Sequence, residues 1–500
     1  MTSPPPRLSA VAKHCTSVLE PLRTALGPRL GIDPRALGAF RIVLGVLLLV
    51  DLIAYRLPAL VTFYTDEGVF PRSALAEVYP TFAAASLHAI SGSAWVQGIL
   101  FAIAGCFAIF LLVGYRTRLA TGVSLLLLAS LYARNPHVIN GGNTILLTFL
   151  FFGLFLPLDA RWSLDGGRRH QNNRRVYSVG TAVILLHFVI IYATNAVRKY
   201  QSEPWMSGTA VPRIFHVEEY FVVLGPHLTE YTTVLTAANW FWVGLLSMSP
   251  FLILSVGRFR IALVLAFGFV HLGMAATMRL GVFPFVMIAG LLLFLPPRVW
   301  DRIDGVRRVG GSSAFEPITR WIESIRGGEP EPEATTLPVI GARIRRGLRG
   351  CCSLVLACVL LSLLVWQLAG IGVVDSPVSD GELADASWAF FAPNPPDTSS
   401  WYVLEAELES GETVDAADGG EVAFDRPPDA AETYESALWL EYGLEMRNLG
   451  ETHYEPAAAY FCQSAEFDVE SVTIHHVKQP VDSDGAVGDP TSNERISYPC

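Results

Sequence analysis

The stretch GTAVILLHFVIIYATNAVRKYQSEPWMSG, residues 180–208, decides the class of fold. From Gly180 to Val197 there is no charged residue, and His187 is the only ionisable side chain apart from a tyrosine. At about 1.5 Å of rise per residue that run is roughly as long as the ~30 Å hydrocarbon layer is thick. It closes on the basic pair Arg198–Lys199, followed by Trp205, which suits the zone of lipid headgroups. A membrane-spanning helix is the reading.

Similar runs recur. Nine spans are expected, at about 37–56, 93–115, 118–134, 143–158, 177–197, 231–256, 259–278, 280–297 and 350–372. Only 16% of residues are charged, against roughly 25% in soluble domains. The fold class is therefore an all-α polytopic membrane bundle of about nine transmembrane helices, carrying a small extracellular α+β C-terminal domain. No apolar core or small-residue cleavage site follows the start of the chain closely, so no cleavable signal peptide is expected, and residues 7–30 read as a basic amphipathic surface helix. The organisation is a cytoplasmic N-terminal segment 1–32, a transmembrane domain 33–300, a cytoplasmic linker 301–349, a last transmembrane helix 350–372, and an acidic domain 373–500.

Charge orients this scheme. From Asp375 onward there are 27 acidic and four basic residues, whereas the preceding part carries 32 basic and 19 acidic ones. Arginines gather at 116–118, 161–175, 258–260 and 298–349, alternate loops that the positive-inside rule assigns to the cytoplasm. Loops 57–92, 135–142 and 198–230, with the acidic domain, then face outward from a cell membrane. A basic membrane body with an acidic exposed domain, and arginine in place of lysine, suits a salt-adapted source such as a halophilic archaeon. Nothing in this pattern suggests nucleic-acid binding. Cys462 and Cys500 are the two cysteines on the outward side, where disulfides persist, and they read as a bridge, with two free thiols as the alternative. No metal-ligand spacing occurs.

Lys199 is one of three lysines, with Lys13 and Lys478, against 33 arginines. A lysine at the end of a span is ordinarily a snorkelling anchor. Here Arg198 already fills that role, and arginine holds its proton at any accessible pH whereas a desolvated lysine can release one. A base is the candidate role. His271, within the seventh span, is an intramembrane ionisable group that can approach Lys199; bonding to a backbone carbonyl is the simpler account of it. His187 lies about three turns deeper and reads as core. Asp66 in FYTDEGVFPR, Asn140 and Asn143 in the NGGN turn, Trp205 and Arg279 map to the same outer side, so an outward-opening pocket is expected.

GYRTRLATG, NGGNTILLTFLFFGLFLPLDARWSLDG, NAVRKYQSEPWMSGTA and HLGMAATMRLGVFPFVMIAG, with WAFFAPNPPDTSSWYV in the tail, together resemble the horizontally transferred transmembrane (HTTM) domain family, whose best-known member is the vitamin K-dependent gamma-glutamyl carboxylase. The likeness spans roughly residues 33–300. RKYQSEPWMSG resembles that enzyme's KK-x-x-x-x-x-W-x-x-G segment, which places Lys199 at the catalytic lysine, and His271 falls at a histidine of its FH segment. Gly142 stands where the carboxylase has a functional histidine. The resemblance implies a quinone pocket involving Arg198, Trp205, Asn140, Asn143, Asp66 and Arg279. It further implies that Lys199 deprotonates reduced vitamin K or a menaquinol-type quinone, with O2 and CO2 as co-substrates and no metal. Oxygenation of the quinone would supply the basicity to carboxylate glutamate in an exported protein or peptide. The competing reading is a non-catalytic quinone- or lipid-binding protein whose outer domain docks a partner.

Overall fold

The computed structural model describes residues 24–165, 175–309, 339–374, 390–416, 419–429, 433–465 and 467–500. Residues 1–23, with Cys15 and most of the expected amphipathic segment, lie outside these, as do 310–338 of the linker and 375–389 of the tail.

Each expected span coincides with helix. The principal helices are α1 (Pro34–Val50), α2 (Ala94–Val113), α3 (Thr117–Arg134), α4 (Gly141–Gly153), α5 (Val179–Tyr200), α6 (Thr232–Ser247), α7 (Arg258–Thr277), α8 (Phe283–Leu292) and α9 (Val339–Gly370). Among the described residues, five stretches are long and apolar enough to cross a membrane: Pro34–Arg56, Ala94–Val113, Val179–Tyr200, Arg258–Thr277 and Gly350–Gly370. A sixth arises if α8 and Pro297–Gly305, which meet at 96°, are counted as one bent span. The bend falls at Pro296–Pro297, where neither residue can donate to the preceding turn. The others fall short for identifiable reasons. α3 carries Arg118, Arg134 and four serine or threonine side chains, α4 has only 13 residues, and α6 stops at Ser247.

Local signals set the helix starts. Asp33 caps α1 by accepting from the Arg35 amide, with Pro34 at the first helical position. Reciprocal capping boxes, Asn140 with Asn143 and Ser178 with Thr181, open α4 and α5. α2 ends at Gly114, whose φ of +73° is left-handed, and an added Cβ there would collide with the Arg41 guanidinium. That buried arginine donates to the carbonyls of Leu111 and Leu112, both at 2.8 Å, and to that of Trp162. It thereby satisfies carbonyls that the end of α2 and the segment after α4 leave open.

α1 and α5 are central, with Phe40, Phe149 and Phe188 in the shared core. α2, α7 and α9 are peripheral and leave rows of leucine, isoleucine and phenylalanine uncovered, as a lipid-facing rim requires. The C-terminal part is a four-stranded antiparallel sheet, order β2-β1-β3-β4, of Thr413–Asp415, Thr398–Leu408, Val469–Pro480 and Thr491–Pro499. The β1–β2 hairpin turns around Gly411. Two helices, α10 (Ala437–Met446) and α11 (Glu451–Ser464), complete the α+β unit. Cys462 and Cys500 are bridged, tying α11 to the end of β4. One apolar core joins this unit to the 57–92 loop: Phe63, Tyr64 and Phe70 cluster with Leu438, Tyr442 and Met446, and the Phe63 and Trp439 rings lie 5.0 Å apart.

Beneath that junction a polar group is sealed in. Arg56 pairs with Asp51 at 2.7 Å, bonds the Tyr64 hydroxyl and lies over the Tyr132 ring. Deleting one member of a buried ion pair strands the other, at a cost of about 3–5 kcal/mol. Arg56→Met is therefore expected to lower the unfolding midpoint of the detergent-solubilised protein, and Asp51→Leu added to it should recover most of the loss. Equal damage from the single and double variants would disprove the pairing.

Candidate functional site

α5 carries Lys199 in its last turn, where the chain turns through Ser202 into a short helix, Glu203–Ser207, that presents Trp205. Pro204 opens that helix, and Asn239 of α6 holds its backbone by donating to the Trp205 carbonyl at 2.9 Å. Lys199 is 1% exposed and does not reach outward as a surface anchor would. Its amine sits 3.3 Å from the centre of the Trp205 ring, a cation–π contact. It also donates to the Phe390 carbonyl at 3.1 Å. No carboxylate among the described residues pairs with it. Trp205 donates to the Phe391 carbonyl at 2.7 Å, so the 390–391 segment of the tail clasps both residues.

These groups border a cavity of about 540 Å³, within the range of small-molecule sites. Its wall is mostly apolar and aromatic, with Tyr192, Trp242 and Phe283 prominent. Val234, Phe241 and Phe269 line it and are also more than half exposed on the outside of the bundle, so it reaches the surface between α6 and α7. His271 lies on the wall. Its Nδ1 donates to the Phe267 carbonyl at 2.8 Å. That bond fixes the tautomer and leaves Nε2 an acceptor, with no partner among the described residues. The Tyr192 hydroxyl, on a ring 6.0 Å from the imidazole, is likewise buried without a partner among them. Buried polar atoms are normally satisfied; these two lie just behind the cavity wall with almost no accessible surface, so a ligand's polar head reaches them only when the wall rings shift.

Four expected site residues thus come together: Lys199, Trp205, His271 and Asn140. Asn143 stands one layer behind, bonding Tyr132 at 3.0 Å and the Asn140 amide at 2.9 Å. Asp66, Arg198 and Arg279 do not line the cavity. Asp66 is engaged by Arg72 at 2.7 Å, and although burial alone would raise its pKa, those hydrogen bonds hold it below the usual carboxylate range. Arg279 donates to the Tyr434 carbonyl at 2.7 Å and secures the tail. His187 faces Thr148 at 3.1 Å in the core.

Sequence reading missed three contributors. Tyr192 lies two turns before Lys199 on the same helix, a face that helical spacing could have found. The Phe390 carbonyl is a main-chain atom and left no signal. Glu441 comes from α10 and borders the same cavity; its Oε1 accepts from Asn140 Nδ2 at 2.8 Å. Burial pushes its pKa up to about 7, with Glu445 adding to the rise and the Asn140 bond and the Arg56 charge opposing it. Its position between the buried Leu440 and Tyr442 was the clue.

A family model, the HTTM domain, matches residues 30–300, more than half of the chain and all of the helices from α1 to α8. No curated protein and no solved structure matches. With that match lying on the segments that supply Lys199, Trp205, His271 and Asn140, the chain belongs to the HTTM domain family and is a membrane protein.

Proposed function

We propose that this protein is a quinol-dependent enzyme of the carboxylase-like kind, in which Lys199 is the base. The observation that carries this is the buried, carboxylate-free amine facing an aromatic cavity that is open to the lipid side of the bundle. A flat aromatic head with polar oxygens fits the wall: Tyr192, Trp242 and Phe283 offer ring faces, and a shift of the wall rings on binding would uncover the Tyr192 hydroxyl and His271 Nε2 to its oxygens. The opening between α6 and α7 suits an apolar tail remaining in lipid. A reduced quinone would supply the electrons for reaction with oxygen. Lys199 as the neutral amine takes a proton from its hydroxyl on the nitrogen lone pair, while an N–H keeps its bond to the Phe390 carbonyl. Once uncovered, His271 Nε2 orients the ring, and the apolar wall keeps water away from a strong base. Carboxylation of glutamate in an exported peptide, with CO2, is the reaction the family resemblance suggests. The cell membrane, with the C-terminal domain outside, is the location that the arginine-rich loops support.

Two measurements test this. Lys199→Ala should reduce quinol-dependent oxygen consumption by purified protein by about 10²–10⁴-fold, the usual worth of a proton-transfer group, and Lys199→Arg should not restore it. Full activity in the arginine variant would reduce Lys199 to an anchor, whereas no quinol-dependent oxygen consumption by wild type would leave a binding protein, the second reading, which the clasp of Phe390 on the amine favours. Gly273 lines the cavity, and a Cβ there meets nothing within 4 Å. Gly273→Phe, at the exposed rim one turn from Phe269, should obstruct the mouth of the pocket and weaken quinone binding, read by tryptophan fluorescence, with the unfolding midpoint unchanged. Undiminished binding would show that the ligand sits elsewhere.

A further inference from the structure

The tail domain does more than cover the bundle. We infer that Glu441 is a second proton acceptor of the site, one that contacts the hydroxyl of the bound ring not served by Lys199. This deepens the proposed quinol chemistry and rests on it.

The geometry is specific. Glu441 reaches the cavity from α10 and Lys199 from α5, so the two enter from different walls. Phe390 lies between them, its carbonyl on the Lys199 amine and its ring against Gly141, the residue after Asn140. Glu441 is deep in the protein yet keeps accessible surface, and that surface faces the cavity. Asn140 holds Oε1, and Oε2 has no hydrogen-bond partner among the described residues, which leaves it to a ligand. Asn140 is itself fixed: its carbonyl oxygen Oδ1 caps α4 and its amide donates to Asn143, which in turn bonds Tyr132 and reaches Asp51 at 3.5 Å. The carboxylate is thus aimed by a chain of polar groups anchored in the bundle. The charged and titratable groups around it are Arg56 with Asp51 behind Asn143, Glu445 one turn along α10, His137 on the loop packed against α10, and Lys199, His271, Tyr192 and Tyr220 on the cavity wall, the last close enough to feel its charge.

The chemistry requires such a group. Oxidising a quinol to a quinone breaks two O–H bonds, one at each ring oxygen, and passes two electrons to dioxygen, which the two protons released through the acceptors complete as hydrogen peroxide. Lys199 accepts one proton. Glu441 Oε2 accepts the other: the ring O–H bond breaks, its electron pair stays with the ring oxygen, and a carboxylic O–H forms. A carboxylate that titrates near neutrality can take that proton and return it to solvent afterwards.

The test uses the full chain in lipid nanodiscs, with menadiol as the probe. Under anaerobic conditions, where no turnover occurs, menadiol affinity is read by tryptophan quenching from about pH 5.5 to about pH 8.5. A hydroxyl bonded to a charged acceptor gains roughly tenfold in affinity. Wild type should therefore bind about tenfold tighter above pH 7 than at the acid end, and Glu441→Gln, whose amide oxygen can still accept from Asn140, should bind weakly with no pH dependence. Glu441→Asp should recover part of the pH dependence. In air, Glu441→Gln should lose at least about tenfold in kcat with Lys199 intact. Wild-type oxygen consumption with unchanged pH dependence in Glu441→Gln would overturn this assignment and leave Lys199 chemistry standing. No oxygen consumption by wild type would overturn both.

Discussion

The cavity depends on an apolar core that runs without interruption from the 57–92 loop into the C-terminal domain. Phe63, Tyr64 and Phe70 on one side, and Leu438, Tyr442 and Met446 on the other, remove a large aromatic surface from water at the end of the bundle. Two consequences follow from that docking. α10 is pressed against the loop before α4, which brings Glu441 to Asn140. The chain leading into β1 is drawn across the end of α5, which brings the carbonyls of Phe390 and Phe391 onto Lys199 and Trp205. The HTTM match ends at residue 300, so a large part of the chain lies beyond it. In this protein that further part supplies polar atoms to the site wall.

What the sequence revealed is what short spacing encodes. The Lys199–Trp205 contact joins residues on either side of one turn and a proline, so a local motif was enough to place both together. The helices were legible because apolar runs are local as well, and hairpin and helix in the tail follow from alternation around Gly411 and from the spacing of 437–446. Counting spans was harder, because an arginine near each end lowers the hydropathy of α3 and because helices as short as α4 can be buried inside a bundle without crossing lipid. Asp66 illustrates the limit for side chains: its partner Arg72 is near in sequence, yet reading the pair required knowing that the turn between them folds back. Glu441 and Asn140 are 301 residues apart, and no spacing rule connects them.

The buried arginines explain why a lysine stands apart from them. Arg41 meets three carbonyls, Arg134 meets those of Phe70 and Thr65, and Arg56 meets a carboxylate and a phenol. A planar fork with five donors is suited to such fixed, many-partner positions. Each of these residues is immobilised by the number of its bonds. Lys199 has one carbonyl and one ring face. An amine with a single hydrogen-bond partner keeps its lone pair free for a ligand's proton, whereas an arginine at the same place would bring donors that the apolar wall cannot satisfy. The sparse coordination of Lys199 is therefore a structural property of the cavity. It accounts for a lysine standing at this position in a chain that elsewhere uses arginine.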